Sequence, residues 1–256
     1  GFAAEMAARH AEQARVLAKS KSESSSSIFN TYSPTERIYY EDTSQVQFDA
    51  NLVGCLPVPE SINIGTEAIG VATHAIILDR TLFYPEGGGQ LADQGLISSN
   101  GKSVRVIDTQ LSNEVVLHLT DGPLSEGSVQ GELDWKRRKQ LMDHHTAVHI
   151  VGGAARDVLG RHVWQAGSNK GARYARLDVT HHSRLDRNDL DAIEDLANSV
   201  VASSPIVEKM VLPRAEADAR FGFELYQGGP PKHSEIRVIK IGEFDVQACG
   251  GTHHDD

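Results

Sequence analysis

The feature that most narrows the fold is a series of short β-type runs: IYY at 38–40, VQFDANLV at 46–53, THAIIL at 73–78, VRVID at 104–108 and VVLHL at 115–119. Gly, Asn, Asp and Pro signals separate them, so each run reads as a strand bounded by turns. Several short strands at this spacing predict a small barrel or a strongly curled sheet.

At Trp135 the texture changes. The segment from Trp135 to about Leu159 predicts one long helix, with Leu141, Val148, Ile150, Val151 and Val158 among its apolar positions and an end near Gly160. A second helix is expected from about Asn188 to Val201, where Leu190, Ile193, Leu196, Ala197 and Val200 recur at the helical period. Strand-like pieces lie between and after them, ARLDVT at 175–180, VEKMVL at 207–212 and EIRVIKI at 235–241. Upstream, the stretch to about Lys21 reads as an exposed helix and SKSESSSS as a flexible linker. The expected fold class is therefore α+β. An N-terminal helix and Ser-rich linker occupy residues 1–34, a β-barrel-like domain residues 35–134, and an α+β domain carrying the long helix residues 135–256.

Composition narrows the function classes. A length of 256 residues suits one or two compact domains. No apolar run approaches the roughly 18 residues of a membrane span, and the N-terminal residues lack a signal peptide's pattern, so a cytoplasmic protein is expected. A net charge of −10 argues against indiscriminate binding to phosphate backbones. A local basic patch remains available in Lys136, Arg137, Arg138 and Lys139, with Lys170, Arg173, Arg176, Arg184 and Arg187, although the same charges also fit a solvated surface. Two cysteines, Cys55 and Cys249, cannot build a disulfide framework, which directs attention to metal chemistry or packing.

His145 and His149 stand four apart on the predicted long helix, so both imidazoles share a face and can reach one metal ion. A pair at that spacing also occurs without a metal. Near the chain's end, CGGTH offers Cys249 and His253, a thiolate and a further imidazole separated by glycines that let the backbone curl. Together the four form a set that zinc accepts. His145 is not followed by Glu, so the zinc-protease pattern with its glutamate base is missing. Asp143 and His144 point away from that face and fit a structural role. FYPEGGGQLADQG at 83–95 is a sharp turn or a place of close backbone approach, and HVWQAGSNKG at 162–171 puts Gln165 in a glycine-rich loop that could close over a small group or simply satisfy itself.

Five motifs in order, FYPEGGGQLADQG, LDWKRRKQLMDHHTAVHI, HVWQAGSNKGARYARLDVTH, FGFELYQGGPP and CGGTH, resemble the editing region of alanyl-tRNA synthetases of archaeal type and of the free-standing AlaX-type deacylases. The related threonyl-type domains carry a different segment where this chain has Gly-Gly-Thr. The resemblance implies hydrolysis of tRNA(Ala) mischarged with serine or glycine, with zinc as cofactor and the tRNA acceptor end as partner. It implies zinc ligands at His145, His149, Cys249 and His253, a catalytic contribution from His145 and Gln165, and substrate contacts from Gly88, Gly89, Gln90, Gln165 and Arg176. It also implies a barrel-like domain followed by an editing core that is C-terminally truncated, with the rest of a synthetase as a further partner. Motifs for binding ATP and activating alanine are absent from the 256 residues. Two other readings stay open, a non-catalytic tRNA-binding remnant and a generic zinc hydrolase.

Overall fold

Alternation in Gln47–Pro57, where every second residue from Phe48 to Gly54 is buried, makes this strand one wall of a barrel whose inside is apolar. The computed structural model describes residues 29, 31–58, 62, 65, 68–227 and 234–255, so the expected N-terminal helix and Ser-rich linker lie outside the described residues, as does the GGPP stretch. Two compact units divide the chain, Gly1–Pro85 with Ala92–Asp134, and Glu86–Leu91 with Trp135–Asp256.

The first unit contains β1 (Glu36–Arg37), β2 (Gln47–Pro57), β3 (His74–Leu78), β4 (Arg80–Thr81), β5 (Gly95–Ser99), β6 (Lys102–Ser112), β7 (Val115–Thr120) and β8 (Gly127–Leu133). Six of these close in the order β2-β3-β7-β6-β5-β8, each antiparallel to its neighbours, while β1 and β4 pair in parallel beside them. Closure leaves no open edge among the six. Phe48, Ala50, Leu52, Ile76, Leu78, Ile97, Val104, Val106, Val129 and Leu133 form the interior cluster. On the other face of β3 and β7, Ala75, Ile77, Val115, Leu117 and Leu119 pack with Phe29. Burial on both faces explains why AIIL and VVLHL read as continuous apolar runs. Each fully buried Leu or Ile there contributes about 1.5–3 kcal/mol of transfer free energy.

Three sequence expectations change in detail. IYY at 38–40 is a 3₁₀ turn, held by edge-on packing of Tyr39 against Tyr40 and Tyr84 at 4.5 and 5.4 Å between centroids. Strands β5 and β8 escape the sequence reading because their glycines look like breakers. They serve close packing instead: a Cβ at Gly131 would stand 2.2 Å from the Phe48 ring, and one at Gly95 would stand 2.0 Å from the Glu132 carbonyl oxygen. The Gln165 segment, expected as a loop, is a strand.

The second unit starts with helix α1 (Trp135–Leu159), followed by a ribbon of β9 (Gln165–Lys170) and β10 (Ala175–Val179), helix α2 (Arg187–Ala202), β11 (Val207–Pro213), helix α3 (Arg214–Phe221), β12 (Glu235–Ile241) and β13 (Asp245–Ala248). Asp186 starts α2 through a reciprocal cap, its carboxylate accepting from the Asp189 N–H while the Asp189 side chain accepts from the Asp186 N–H. The three-stranded antiparallel sheet has the order β11-β12-β13. Its middle strand is covered on both faces: Ile239 and Ile241 pack with Ile150, Ala154, Ile193 and Ala197 of α1 and α2, whereas Ile236 and Val238 pack with Ala217, Leu225 and Tyr226. That sandwiching fixes β13, and so the residues that follow it, against α1. The architecture is α+β, a closed antiparallel barrel followed by helices and further sheets. No helix among the described residues is long and apolar enough to cross a membrane.

Candidate metal centre

Helix α1 presents His145 and His149 on one face with ring centroids 5.3 Å apart, and both are buried. Strand β13 ends at Ala248, and the arm Cys249–His253 turns back over them. Arg237 of β12 shapes that turn by donating to the carbonyl oxygens of Cys249 at 2.9 Å and Gly251 at 2.7 Å, while the Cys249 N–H donates to the Arg237 carbonyl at 3.0 Å. Beyond His253, Asp255 accepts from the Val207 N–H at 3.0 Å and pairs with Lys209, which fastens the arm to β11.

One ligand atom from each of His145, His149, Cys249 and His253 lies within 4.8 Å of the other three. Cys249 Sγ stands 3.3 Å from His145 Nε2 and 3.4 Å from His253 Nε2. Bond lengths of about 2.3 Å to sulfur and 2.05 Å to nitrogen, at a tetrahedral angle, place such atoms roughly 3.6 Å apart. The cluster therefore has the size and donor set to hold a metal ion.

His145 and His253 are also held by hydrogen bonds from behind, and His149 faces a carboxylate. Gln90 Oε1 accepts from the Thr252 N–H at 3.1 Å, and Gln90 Nε2 donates to Thr252 Oγ1 at 2.9 Å. Because the Thr252 N–H can only donate, the atom facing it is the amide oxygen, and that oxygen lies 2.7 Å from His145 Nδ1. His145 Nδ1 must carry the proton, which leaves the Nε2 lone pair directed at the centre. His253 Nδ1 meets Thr146 Oγ1 at 3.2 Å. His149 Nδ1 faces Asp245 Oδ2 at 3.6 Å, and that carboxylate is fixed by Arg156 at 2.7 Å and Gln247 at 2.8 Å.

The electrostatics follow from crowding polar groups in a dry site. Burial pushes the Cys249 thiol up, but the facing His145, His149 and His253 outweigh it and hold the thiol well below its usual value. Burial lowers His145 and His253, the neighbouring histidines adding to the effect. His149 goes the other way: burial opposes its charge, yet Cys249 and Asp245 raise it to about 9. The thiolate is the form that metal binding requires, whereas His149, held protonated at neutral pH, gives up its proton when an ion is bound.

FYPEGGGQLADQG contains a tight turn. Gly87 and Gln90 exchange backbone hydrogen bonds of 3.1 and 2.9 Å across Gly88 and Gly89, whose φ values are +58° and +79°. The turn docks on β9, with the Lys170 N–H donating to the Gly89 carbonyl at 2.7 Å and the Leu91 N–H to the Lys170 carbonyl at 3.1 Å. That approach is why Gln90 reaches His145. Gln90 is wholly buried.

Gln165 sits at the start of β9, where its N–H donates to Gln227 Oε1 at 3.2 Å. It lines a small cleft with Val148, Trp164, Leu177, Gln227 and Gln247, and none of the four clustered residues is in that lining. Arg176 is exposed on β10 and pairs with Asp178 at 3.2 Å. Of the nine cations of the expected basic patch, Arg138 and Lys170 are buried. Burial lowers the Lys170 pKa, and its ammonium donates to the Gly88 carbonyl at 2.8 Å and Ser168 Oγ at 2.6 Å. His144 donates from Nδ1 to the Gly171 carbonyl, docking α1 on the ribbon, and Asp143 binds Lys139 and His254. Sequence reasoning does not single out Asp245 or Thr146 as partners of the cluster: Asp245 stands in no motif and meets its histidine only through tertiary folding, and Thr146 stands in a motif without a role assigned to it. An adjacent hydroxyl in DHHTAVHI was the one local signal for Thr146.

Comparison with known proteins bears on this site. The family described as "tRNA synthetases class II (A)" matches residues 1–137, and "Threonyl and Alanyl tRNA synthetase second additional domain" matches residues 236–256, which include Cys249 and His253. The alanine–tRNA ligase of Ignicoccus hospitalis is 44% identical over 223 residues, 87% of this chain and 23% of that protein. Those of Metallosphaera sedula and Natronomonas pharaonis are 43% and 45% identical over 223 and 220 residues, in each case 86% of this chain and 23% of the relative. The chain thus spans about a quarter of the length of the curated relatives it matches.

Proposed function

The chain belongs to the alanyl-tRNA synthetase family of class II synthetases, and from that premise we propose that it hydrolyses tRNA(Ala) wrongly charged with serine or glycine. The observation that carries this reading is the convergence of His145, His149, Cys249 and His253, of which Cys249 and His253 lie in the segment matching the second additional domain of threonyl and alanyl synthetases. The proposed resident ion is zinc, since three imidazoles and a thiolate form a donor set that it accepts. When bound, it would supply a Lewis acid beside the ester of the terminal adenosine.

The chain's own residues have definable tasks in this reading. Gln90 keeps His145 in the Nδ1–H tautomer, and Asp245, braced by Arg156 and Gln247, keeps the His149 ring in place. Gln165, at a cleft with an apolar floor and polar amides, is proposed to read the small amino-acid group. The positive-φ turn at Gly88 and Gly89 and the guanidinium of Arg176 are proposed to face the nucleotide. Cytoplasmic placement and tRNA(Ala) as partner, alongside the remainder of a synthetase, belong to the same reading.

The need for such a site is energetic. A pocket built for alanine distinguishes glycine or serine by only about 1–3 kcal/mol, so a separate hydrolytic step must remove the errors. Incubating the chain with Ser-tRNA(Ala), Gly-tRNA(Ala) and Ala-tRNA(Ala) tests the reading. Release of serine and glycine well ahead of alanine supports it. Tight tRNA binding with all three esters intact would replace it with a non-catalytic tRNA-binding remnant.

A further inference from the structure

Another group of histidines lies in the second unit, outside the machinery described above. His162 is in the turn between α1 and β9, and His181 and His182 follow β10 after Thr180. Antiparallel pairing of β9 with β10 brings these two chain segments together at the base of the ribbon. The neck is tied by three bonds: Trp164 N–H to Thr180 Oγ1 at 2.9 Å, Thr180 N–H to the Trp164 carbonyl at 2.9 Å, and Thr180 Oγ1 to the His162 carbonyl at 3.1 Å.

The consequence is a cluster of three rings. Centroids of His162 and His181 are 5.0 Å apart, those of His162 and His182 5.6 Å, and those of His181 and His182 4.2 Å. His162 Nε2 stands 2.9 Å from His181 Nδ1, and one ring nitrogen of each residue lies within 4.8 Å of the other two. His162 and His182 are exposed and His181 is half-buried, so an ion can arrive from solvent and keep water on its open side. Burial, and then the neighbouring His182 and His162, lower the His181 pKa. Neutral rings are the form that binds metals.

We propose that His162, His181 and His182 form a surface site for an imidazole-preferring transition-metal cation, Zn²⁺, Ni²⁺ or Cu²⁺, distinct in its residues from the cluster on α1. A ligand set of three imidazoles without carboxylate or thiolate selects these ions over Mg²⁺ and Ca²⁺. An ion there bridges the segment leaving α1 to the segment leaving β10, and so closes the base of the ribbon that carries Gln165.

The test is Ni²⁺ titration of the full chain by calorimetry with metal analysis, run on wild type, His181→Ala and the triple variant His162→Ala/His181→Ala/His182→Ala. Cys249→Ala serves as the reciprocal variant, and circular dichroism monitors the fold. Wild type is expected to show two binding events. His181→Ala should weaken one at least tenfold and the triple variant should abolish it, while Cys249→Ala should retain it. Binding by the triple variant that matches wild type in every event, or no event retained by Cys249→Ala, overturns the proposal. Neither outcome depends on hydrolysis of any tRNA ester.

Discussion

Gly251 shows how tightly the arm is fitted to the helix. A Cβ at this position would stand 2.0 Å from His145 Cε1 and 2.3 Å from His145 Nδ1, whereas ordinary contact begins at 3.4 Å. Gly251→Ala therefore forces the ring to retreat by well over 1 Å. The retreat breaks its 2.7 Å hydrogen bond with Gln90 and moves Nε2 off the Cys249 side. Loss of a partner that orients a metal-binding histidine typically costs 10–100-fold in metal affinity, or about 1.4–2.7 kcal/mol. Competition for zinc against a chromophoric chelator at neutral pH measures the change. Gly152→Ala is the control, since its Cβ would meet Leu177 Cδ2 at an ordinary 3.6 Å, and replacing a helical glycine by alanine is worth up to about 1 kcal/mol of stability. A folded Gly251→Ala protein that holds zinc as tightly as wild type would refute the fit argued for the arm.

Other expectations follow from the same geometry. Gln90→Ala should weaken metal binding by about 10–100-fold with the fold intact, because His145 loses its tautomer-fixing acceptor; the chelator competition reads this directly. Gly89→Ala combines φ +79° with a Cβ 2.5 Å from the Ser168 carbonyl oxygen, and should destabilise the second unit by about 2 kcal/mol or more. The chain's two tryptophans, Trp135 and Trp164, both belong to that unit, so denaturant unfolding followed by their fluorescence checks the loss. In the barrel, His118 is buried with Nδ1 donating to the Ile76 carbonyl at 3.0 Å and Nε2 2.8 Å from Thr81 Oγ1, and burial lowers its pKa to about 4. The unfolded chain, with a His pKa near 6.5, binds the extra proton between these values, so stability is full above about pH 6.5 and falls by about 3 kcal/mol toward pH 4. A ring resonance of His118 that titrates near 6.5 in the folded protein would contradict this.

Much of the fold was legible because its strongest signals are local. Helix α1 is legible from its length, its apolar content and its end near Gly160 rather than from a clean period, since Val151 and Val158 are exposed, whereas the paired histidines four apart and strand β12 at 235–241 follow from local spacing. The apolar runs that became β3 and β7 stood out because both their faces are buried. What sequence could not show depends on distant partners. Glycines 95 and 131 are strand residues because of what packs over them, not because of turns. Lys170 and Arg138 count as surface charge by composition, yet the fold buries both. The glycine-rich turn was legible as a place of close approach, but its object was not. Gln90 meets His145 and Thr252 only after the turn docks on β9.

The most direct test of the central claim is release of labelled serine from Ser-tRNA(Ala) by the wild-type chain and by His145→Ala. If hydrolysis is carried by the cluster of His145, His149, Cys249 and His253, serine is freed by wild type, and the variant loses at least a hundredfold in rate, about 2.7 kcal/mol of barrier. Serine release by His145→Ala at the wild-type rate would contradict it.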